Sequence, residues 1–307
     1  MTVSPSGWLI IDKPLGMTSN QVVGGVRRHL RVKGCGHAGT LDPLASGVLP
    51  IALGEATKTV AYAQAGSKDY AFTIRWGEFR TTDDCEGEVS GTSPRRPEKD
   101  EILAILPRFI GRIMQTPPAY SAIKVAGQRA YALARAGEDV ELASREVMVH
   151  ALALVSMPSP DEACFEVTSG KGFYVRALGR DIAIALSCAG HISALRRKRV
   201  GHFSLTHAMG WDEFTSLDSG EVFLRRLLPL ATALVDIPAL AVNKQETWRL
   251  RHGQTVSLTP AHRLQESPPG PLQPTRNGEV AVFSEGLPVA IGVIDGLVLR
   301  PSRVFNL

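Results

Sequence analysis

The sequence predicts an α+β fold. Segments with strand patterning and segments with helical patterning both occur, but without the regular strand–helix–strand alternation of a parallel α/β sheet. At 307 residues and 44% hydrophobic residues, the chain is long enough for one large domain and a small second one. Short strand-like segments near the end predict a β-rich module of residues 245–307, which follows a main domain of residues 1–240.

The first predicted elements are a strand and a helix. Residues 7–13 (GWLIIDK) form a short apolar run, and a turn with Pro14 and Gly16 follows it. Thr18 or Ser19 then supplies a helix N-cap. The apolar residues after the cap follow helical spacing: Val22, Val23, Val26 and Leu30. The arginines of this helix lie off that stripe: Arg27, Arg28 and Arg31.

The middle of the chain contains both kinds of segment. Residues 69–77 (DYAFTIRWG) alternate between large apolar residues and smaller or polar ones, which predicts a strand with one aromatic face. Residues 87–99 are rich in Gly, Ser and Pro, which indicates an exposed connection. Further strands are predicted at residues 147–157 and 164–170, and helices at residues 99–106, 128–135 and 175–189, the last one stopping at Gly190.

The C-terminal segment contains three predicted strands and a long loop. The strands cover residues 280–284, 288–294 and 297–301. Residues 258–278 contain five prolines and few apolar side chains, which predicts a loop before these strands.

Composition favours a cytoplasmic protein without disulfides or structural zinc. No stretch of about 18 apolar residues occurs, and the N-terminus lacks the pattern of a signal peptide. The four cysteines have no CxxC spacing and suit a reducing compartment. Cys35 and His37 alone cannot complete a four-ligand zinc shell.

Positive charge is clustered although the net charge is only +4. The clusters are residues 26–33 (VRRHLRVK), 93–99 (SPRRPEK) and, most densely, 194–202 (ALRRKRVGH). Such clusters can follow a phosphate backbone, but each is equally compatible with a solvated basic face.

Asp42 is the only side chain charged at neutral pH between Gly34 and Gly54. An unpaired buried carboxylate is costly, so this aspartate needs a partner or a task. A structural Asp-Pro turn is one interpretation. The other is a nucleophile or general base in a walled site, since the surrounding glycines permit a close approach by another chain. On local grounds, His37 is structural more often than catalytic.

Other chemistries are less well supported. A glycosidase needs a second carboxylate, and nothing in the spacing selects one from Asp69, Asp83, Asp84 and Asp181. The segment GCGHAG lacks both the Walker Lys-Ser/Thr and the GxGxxG spacing of a phosphate-binding loop.

Five ordered segments carry a resemblance to a known family. They are KPLGMTSN (13–20), GHAGTLDPLASGVLPIALGEATK (36–58), SKDYAFTIRWG (67–77), QTPPAYSAIKVAGQRAYALARAGE (115–138), and GFYVRALGRD (172–181) followed by ISALRRKRVGHF (192–203). Their order and spacing resemble the TruB family of bacterial tRNA pseudouridine-55 synthases. The C-terminal RLRHGQTV and VAIGVIDGLVLRPSRVF look like the PUA-type module that often ends these proteins.

The resemblance implies a fold and a reaction. The fold is a mixed, mostly antiparallel central sheet flanked by helices, with insertions that grip RNA and a PUA-like module. The reaction isomerises uridine 55 in the T loop of tRNA to pseudouridine by base flipping and an aspartate-dependent change from an N- to a C-glycoside. The resemblance further implies no cofactor and no metal. It also implies a monomer with no obligate protein partner, and an additional role in tRNA folding.

The resemblance also implies roles for individual residues. Asp42 is the catalytic carboxylate, Arg176 pairs with it, and Tyr70 stacks on the flipped base. Around them, Asp84 orients the arginine, and Tyr174 and Leu195 form walls of the pocket.

The resemblance implies that further residues bind RNA or support the Asp42 loop. His37 stacks in the T loop. Lys13, counted among the substrate-binding residues, buttresses the Asp42 loop together with Pro14. Arg196 and Arg197, in the basic run Arg196 to Arg199, contact phosphates at the mouth of the pocket. Cys35 is given no role, and the proline-rich loop is longer than such modules usually carry.

Two alternatives stay open at this stage. One is a non-catalytic RNA-binding protein or tRNA-folding chaperone with the same fold, and the other is a glycoside hydrolase. The chemical path of Asp42 is also open between attack on C1′ of the sugar, attack on C6 of the ring, and deprotonation at C2′.

Overall fold

A computed structural model describes residues 5–121, 123–125, 127–138, 142–217, 226–262, 264–265 and 278–307. The helices in this part of the chain are α1 (Ser19–Leu30), α2 (Val60–Ala65), α3 (Lys99–Ile105), α4 (Ala130–Arg135), α5 (Val175–Ala185), α6 (Trp211–Ser216) and α7 (Lys244–Arg251).

The strands belong to two large sheets and two hairpins. Those of the first sheet are β1 (Gly7–Lys13), β2 (Cys35–His37), β3 (Ala45–Leu53), β4 (Lys68–Trp76), β7 (Gly111–Gln115), β10 (Arg145–Ser159), β11 (Glu162–Ser169), β12 (Gly190–Val200), β13 (Phe203–Ser204) and β14 (Met209–Gly210). The hairpins pair β5 (Glu78–Arg80) with β6 (Val89–Thr92), and β8 (Lys124–Val125) with β9 (Gln128–Arg129). The second sheet contains β15 (Ala239–Ala241), β16 (Val256–Ser257), β17 (Leu264–Gln265), β18 (Glu279–Ser284), β19 (Leu287–Asp295) and β20 (Val298–Val304).

The first sheet is mixed and mostly antiparallel, which confirms the predicted fold class. Its main order is β14-β1-β3-β12-β4-β11-β10-β7, and only β1 with β14 and β3 with β12 run parallel. The predicted aromatic face of β4 is buried: Tyr70, Phe72, Ile74 and Trp76 are at most 9% exposed. Because β12 lies between β3 and β4, segments that are distant in sequence meet along one strand.

Local signals explain most of the element boundaries. Thr18 caps α1 in a capping box with Gln21, as its side chain predicts. The helix expected to stop at Gly190 instead ends at Ala185, because Leu186 leaves helical geometry and Ser187 takes a positive φ of 54°. Gly190 is the first residue of β12. The exposed connection at residues 87–99 contains the short strand β6.

The C-terminal sheet packs on the main domain. Its order is β16-β20-β19-β18-β15-β17, and β15 begins at Ala239, before the predicted start of the module at residue 245. Phe305 and Ile291 share a hydrophobic cluster with Trp8, and Lys58 donates a hydrogen bond to the carbonyl of Val304 at 2.8 Å. Most of the predicted proline-rich loop, including residues 266–277, lies outside the described residues.

In the described ranges, no helix combines the length and apolar character needed to cross a bilayer.

Candidate active site

Asp42 lies in the loop between β2 and β3 and faces an open cleft. The cleft has a volume of about 1110 Å³ and receives side chains from the ends of several elements. The Asp42 side chain is 34% exposed, so it is neither in open solvent nor sealed inside the core. The Asp42 carboxylate therefore faces a cavity that is large enough for a nucleoside.

Arg176 is the counter-ion of Asp42, as predicted. Its Nε lies 3.0 Å from Oδ2 of Asp42, and its side chain is only 5% exposed. The residue sits in the first turn of α5, which points this end of the helix at the Asp42 loop. The buried guanidinium therefore places a positive charge directly beside the carboxylate.

The rest of the Arg176 guanidinium is held from the opposite side. Nη1 donates to the carbonyl of Thr82 at 2.8 Å and lies 3.4 Å from Oδ2 of Asp84. Nη2 donates to the carbonyl of Tyr120 at 2.9 Å. The predicted juxtaposition of Asp84 with Arg176 is therefore present. These contacts fix the plane of the guanidinium so that Nε faces Asp42.

Asp84 is buried, with 2% exposure. Burial raises the pKa of its carboxyl group, and the hydrogen bond from Thr82 and the charge of Arg176 oppose that rise. Its Oδ1 accepts from the Thr82 hydroxyl at 2.5 Å and from the Glu86 amide at 3.0 Å. The side chain is thus fully engaged in holding the Arg176 side of the cleft.

Aromatic and apolar side chains form walls of the cleft. Tyr70 projects from β4 and Leu195 from β12, and they are 9% and 7% exposed. Burial raises the pKa of the Tyr70 hydroxyl, which keeps it protonated at neutral pH. Tyr174, the residue before α5, also lines the cleft, with the Arg145 guanidinium 5.2 Å from its ring centroid. All three predicted walls are in one cavity with Asp42.

His37 lies at the end of β2 and lines the same cleft. Burial lowers the pKa of its imidazole, and the positive charge of Arg197 lowers it further. The ring is therefore neutral at pH 7 and presents a flat aromatic face.

Lys13 supports the Asp42 loop from behind. Its Nζ donates to the carbonyls of Met17 at 2.7 Å, Pro14 at 2.9 Å and Pro43 at 3.5 Å. Burial lowers the pKa of this amine to about 8, while the charge of Asp42 acts in the opposite direction. The expected buttress is present. A direct contact with substrate is contradicted, because Lys13 is 0% exposed.

The basic run on β12 does not form the predicted phosphate-binding surface. Arg196 makes a two-pronged ion pair with Asp12, at 2.7 and 3.1 Å, and is not among the residues that line the cleft. Lys198 pairs with Glu166 at 2.8 Å, and Arg199 with Asp69 at 2.6 Å. Arg199 thus reaches a carboxylate on the adjacent strand β4, whereas Arg196 and Lys198 reach carboxylates on β1 and β11, one strand further away on either side.

Arg197 departs furthest from its predicted place. It is 1% exposed and donates to the backbone carbonyls of Val48, Thr40 and Gly39. Arg197 is among the residues that line the cleft, but it is buried and its donors are engaged with these carbonyls, so the predicted phosphate contact at the mouth of the pocket is wrong.

Gln115 and Arg180 belong to the site although the sequence did not single them out. Gln115 is 1% exposed and brackets the Tyr174 backbone, accepting from its N–H at 2.8 Å and donating to its carbonyl at 3.0 Å. Arg180 pairs with Asp83 at 2.8 Å and donates to the carbonyl of Thr116 at 2.8 Å. Both fasten residues 115–121 to the start of α5. In the sequence, Gln115 was marked only as part of the segment 115–138 that resembles the TruB family.

The arrangement is suited to reactions that use an ionised carboxylate against an aromatic wall. Throughout the described residues, no group of three or more His, Cys, Asp or Glu side chains is placed to hold a metal ion. Beside Asp42, Arg176 and Tyr70, the cleft is lined by further charged side chains, which include Lys68, Glu86, Glu88 and Lys171.

Family comparisons agree with this geometry. Residues 27–175 match the N-terminal domain of the TruB family of pseudouridylate synthases, and residues 176–235 match the C-terminal domain of tRNA pseudouridylate synthase B. The chain belongs to the TruB family.

Relatives in the TruB family are similar over nearly the whole chain. A tRNA pseudouridine synthase B from Bradyrhizobium diazoefficiens is 51% identical over 98% of this chain and 86% of its own length. One from Agrobacterium fabrum is 47% identical over 98% of this chain and 95% of its own length.

Solved structures share the fold of this TruB-family chain. A chain from a Cbf5–Nop10–Gar1 complex superimposes with a TM-score of 0.74 at 24% identity, covering 98% of this chain and 85% of that one. A chain from an H/ACA RNP bound to a substrate RNA containing 2′-deoxyuridine gives a TM-score of 0.74 at 23% identity, with the same coverage of both chains.

Proposed function

We propose that this TruB-family protein isomerises uridine 55 in the T loop of tRNA to pseudouridine. The observation that carries the proposal is the Asp42–Arg176 ion pair, 3.0 Å long, in a cleft walled by Tyr70 and Leu195. The named activity of relatives about half identical in sequence supports the same substrate.

The reaction first requires access to the sugar of a base-paired or stacked nucleotide. The uridine leaves its stack and enters the cleft, at a cost of roughly a few kcal/mol. Tyr70 then stacks on the extruded base, and Leu195 and Tyr174 pack around it. Stacking on one aromatic side chain contributes about 1 to 3 kcal/mol, which offsets much of that cost.

Asp42 acts at the glycosidic centre. The bond between N1 and C1′ breaks, the uracil turns within the walled cleft, and a bond between C5 and C1′ forms. C5 loses a proton and N1 gains one, so the reaction consumes no donor and needs no external oxidant or water. Arg176, 3.0 Å away, holds the carboxylate in position toward the sugar throughout.

Positive charge beside the cleft supports an RNA substrate. Arg27 and Arg28 of α1 and Arg31, the C-cap of this helix, are exposed, and among the described residues none of them forms an ion pair. A groove of about 510 Å³ reaches Arg28 and shares Thr18 and Asn20 with the main cleft. We infer that phosphates next to the T loop lie along this face, while His37 stacks on a displaced loop base.

The proposal extends to cellular setting and assembly. The enzyme acts on tRNA in the cytoplasm, as a monomer, and the C-terminal module adds contacts to the same tRNA. A tRNA-folding activity is compatible with the same surface, since binding and base displacement do not require turnover.

The function is tested by mapping. An unmodified tRNA transcript incubated with the protein is digested to nucleosides and, in parallel, mapped by site. We expect pseudouridine at position 55 only, and none in a transcript with cytidine at that position. Modification elsewhere, or none at all, would contradict the proposal. Release of free uracil would instead indicate a glycoside hydrolase.

A further inference from the structure

Arg197 carries a buried positive charge that has no ion-pair partner among the described residues. A guanidinium is not deprotonated in proteins, so the charge persists despite 1% exposure. Across the described chain, no carboxylate lies within ion-pair distance of it, whereas Arg176 has two, Asp42 and Asp84. Such a cation is costly unless its donors are satisfied, so the identity of its acceptors is informative.

Its acceptors are the backbone of the Asp42 loop. Nη1 donates to the carbonyl of Thr40 at 3.2 Å, and Nη2 to the carbonyl of Gly39 at 3.0 Å. Nε donates to the carbonyl of Val48 at 2.8 Å, beyond the other end of the loop. One rigid, planar group therefore joins both ends of the segment that carries Asp42.

Two glycines allow Arg197 to approach the Asp42 loop this closely. Gly47 lies opposite Arg197 in the parallel pairing of β3 with β12, and a Cβ at position 47 would overlap the Arg197 backbone. Gly39 has a φ of +114°, which a residue with a side chain rarely adopts, and this angle accompanies the hydrogen bond from its carbonyl to Nη2.

Arg197 also lies opposite Tyr70 in the antiparallel pairing of β12 with β4, so the two side chains are on the same face of the sheet. The guanidinium lies close enough for its charge to act on the pKa of the Tyr70 hydroxyl. Arginine has donors and no acceptor, so toward Arg197 the Tyr70 oxygen can only accept. The phenolic proton is then free to point away from Arg197, and because Tyr70 lines the cleft, a base bound there can accept it.

We propose that Arg197 is a positioning residue, which clasps the Asp42 loop from inside and turns the Tyr70 hydroxyl so that it donates to the uracil in the cleft. This role rests on the proposed function, because it concerns the same base. It replaces phosphate binding as the reason for an arginine at this position.

The test compares Arg197→Lys with Arg199→Lys, a control on the same strand whose Asp69 partner a lysine can still reach. Single-turnover rates, tRNA affinity and its salt dependence are measured for both variants, and also for Tyr70→Phe and the Arg197→Lys, Tyr70→Phe double variant. Urea unfolding sets an assay temperature at which each is folded. Arg197→Gln replaces Arg197→Lys if the lysine variant does not fold.

We expect Arg197→Lys to lower the single-turnover rate at least tenfold, with tRNA affinity and its salt slope within about twofold of the wild type. In a protein that already carries Tyr70→Phe, Arg197→Lys should lower the single-turnover rate less than threefold. If the double variant instead lost the product of the two single-variant factors, the link between Arg197 and Tyr70 would be overturned. An unchanged rate, or a fall in affinity with a smaller salt slope, would overturn the positioning role. Wild-type turnover, measured alongside, reports separately on the proposed function.

Discussion

The basic residues of α1 and those of β12 look alike in sequence and differ in the folded chain. The β12 run, Arg196 to Arg199, is the denser cluster, yet each of its side chains is used within the protein. The α1 arginines, Arg27, Arg28 and Arg31, are exposed, and no ion pair to them occurs in the described residues. Density of charge along the chain therefore does not identify the RNA-binding surface.

The difference has a physical origin. On a central strand, successive side chains point to opposite faces and meet the neighbouring strands on both sides, where carboxylates and carbonyls are available. On an amphipathic surface helix, residues off the apolar stripe face solvent and have only their own helix as a source of partners. Charges of the first kind are engaged within the fold, and charges of the second kind remain available to bind phosphates.

The largest expected effect is on stability, from the buried member of the β12 run. Arg197→Met removes the charged side-chain donor from three backbone carbonyls, and each hydrogen bond to a charged group contributes about 1.5 to 3 kcal/mol. We expect the free energy of unfolding, measured in urea, to fall by more than about 3 kcal/mol. Lys198→Met, which breaks a half-exposed pair on the same strand, should change it by less than about 1 kcal/mol. Equal effects would refute the distinction within the run.

The next effect is on RNA binding, from the α1 arginines. Replacing Arg27, Arg28 and Arg31 together by Gln should weaken tRNA binding roughly tenfold or more and lower the salt slope by about one for each phosphate that the variant no longer neutralises. The free energy of unfolding should stay within about 0.5 kcal/mol of the wild type, since these side chains are on the surface. Lys198→Gln is the matched control and should leave the salt slope unchanged. A larger change in slope from the control would reverse the comparison.

The smallest effect concerns Arg180, another arginine whose carboxylate partners lie within the protein. Burial raises the pKa of its partner Asp83 from 3.8 to about 6, although Arg180 itself opposes the rise. Between those pH values the folded state binds more protons than the unfolded state, so this group makes stability fall as pH rises from about 4 to 6. Relative to Asp83→Asn, the wild type should lose roughly 1 to 3 kcal/mol over that range and change little above it. A pH-independent difference in urea unfolding would contradict this.

Much of the fold was predictable because local patterns dominate it. The alternation in β4 and the N-cap at Thr18 or Ser19 are sequence-local predictions; the strand forms as predicted, and Thr18 is the residue that caps α1. The predicted end of α5 is wrong, since that end depends on the left-handed turn at Ser187 and not on the glycine that follows.

The site divides in the same way. Asp42 stands out in the sequence because no other charge lies near it. The pairing of Arg176 with Asp42 was predicted from the family resemblance alone. The role of Arg197 could not be predicted, since it depends on β12 lying between β3 and β4, which is a property of strand order. Gln115 acts on the backbone of Tyr174, and a contact of that kind leaves no pattern in a single sequence.

The most direct test of the proposed catalytic role is Asp42→Asn. The substitution keeps the shape of the side chain and removes the charge that pairs with Arg176 at 3.0 Å. With an unmodified tRNA transcript, we expect single-turnover formation of pseudouridine to be lost while the tRNA dissociation constant changes by less than about threefold. Retained turnover in this variant would contradict the assignment of Asp42 as the catalytic carboxylate.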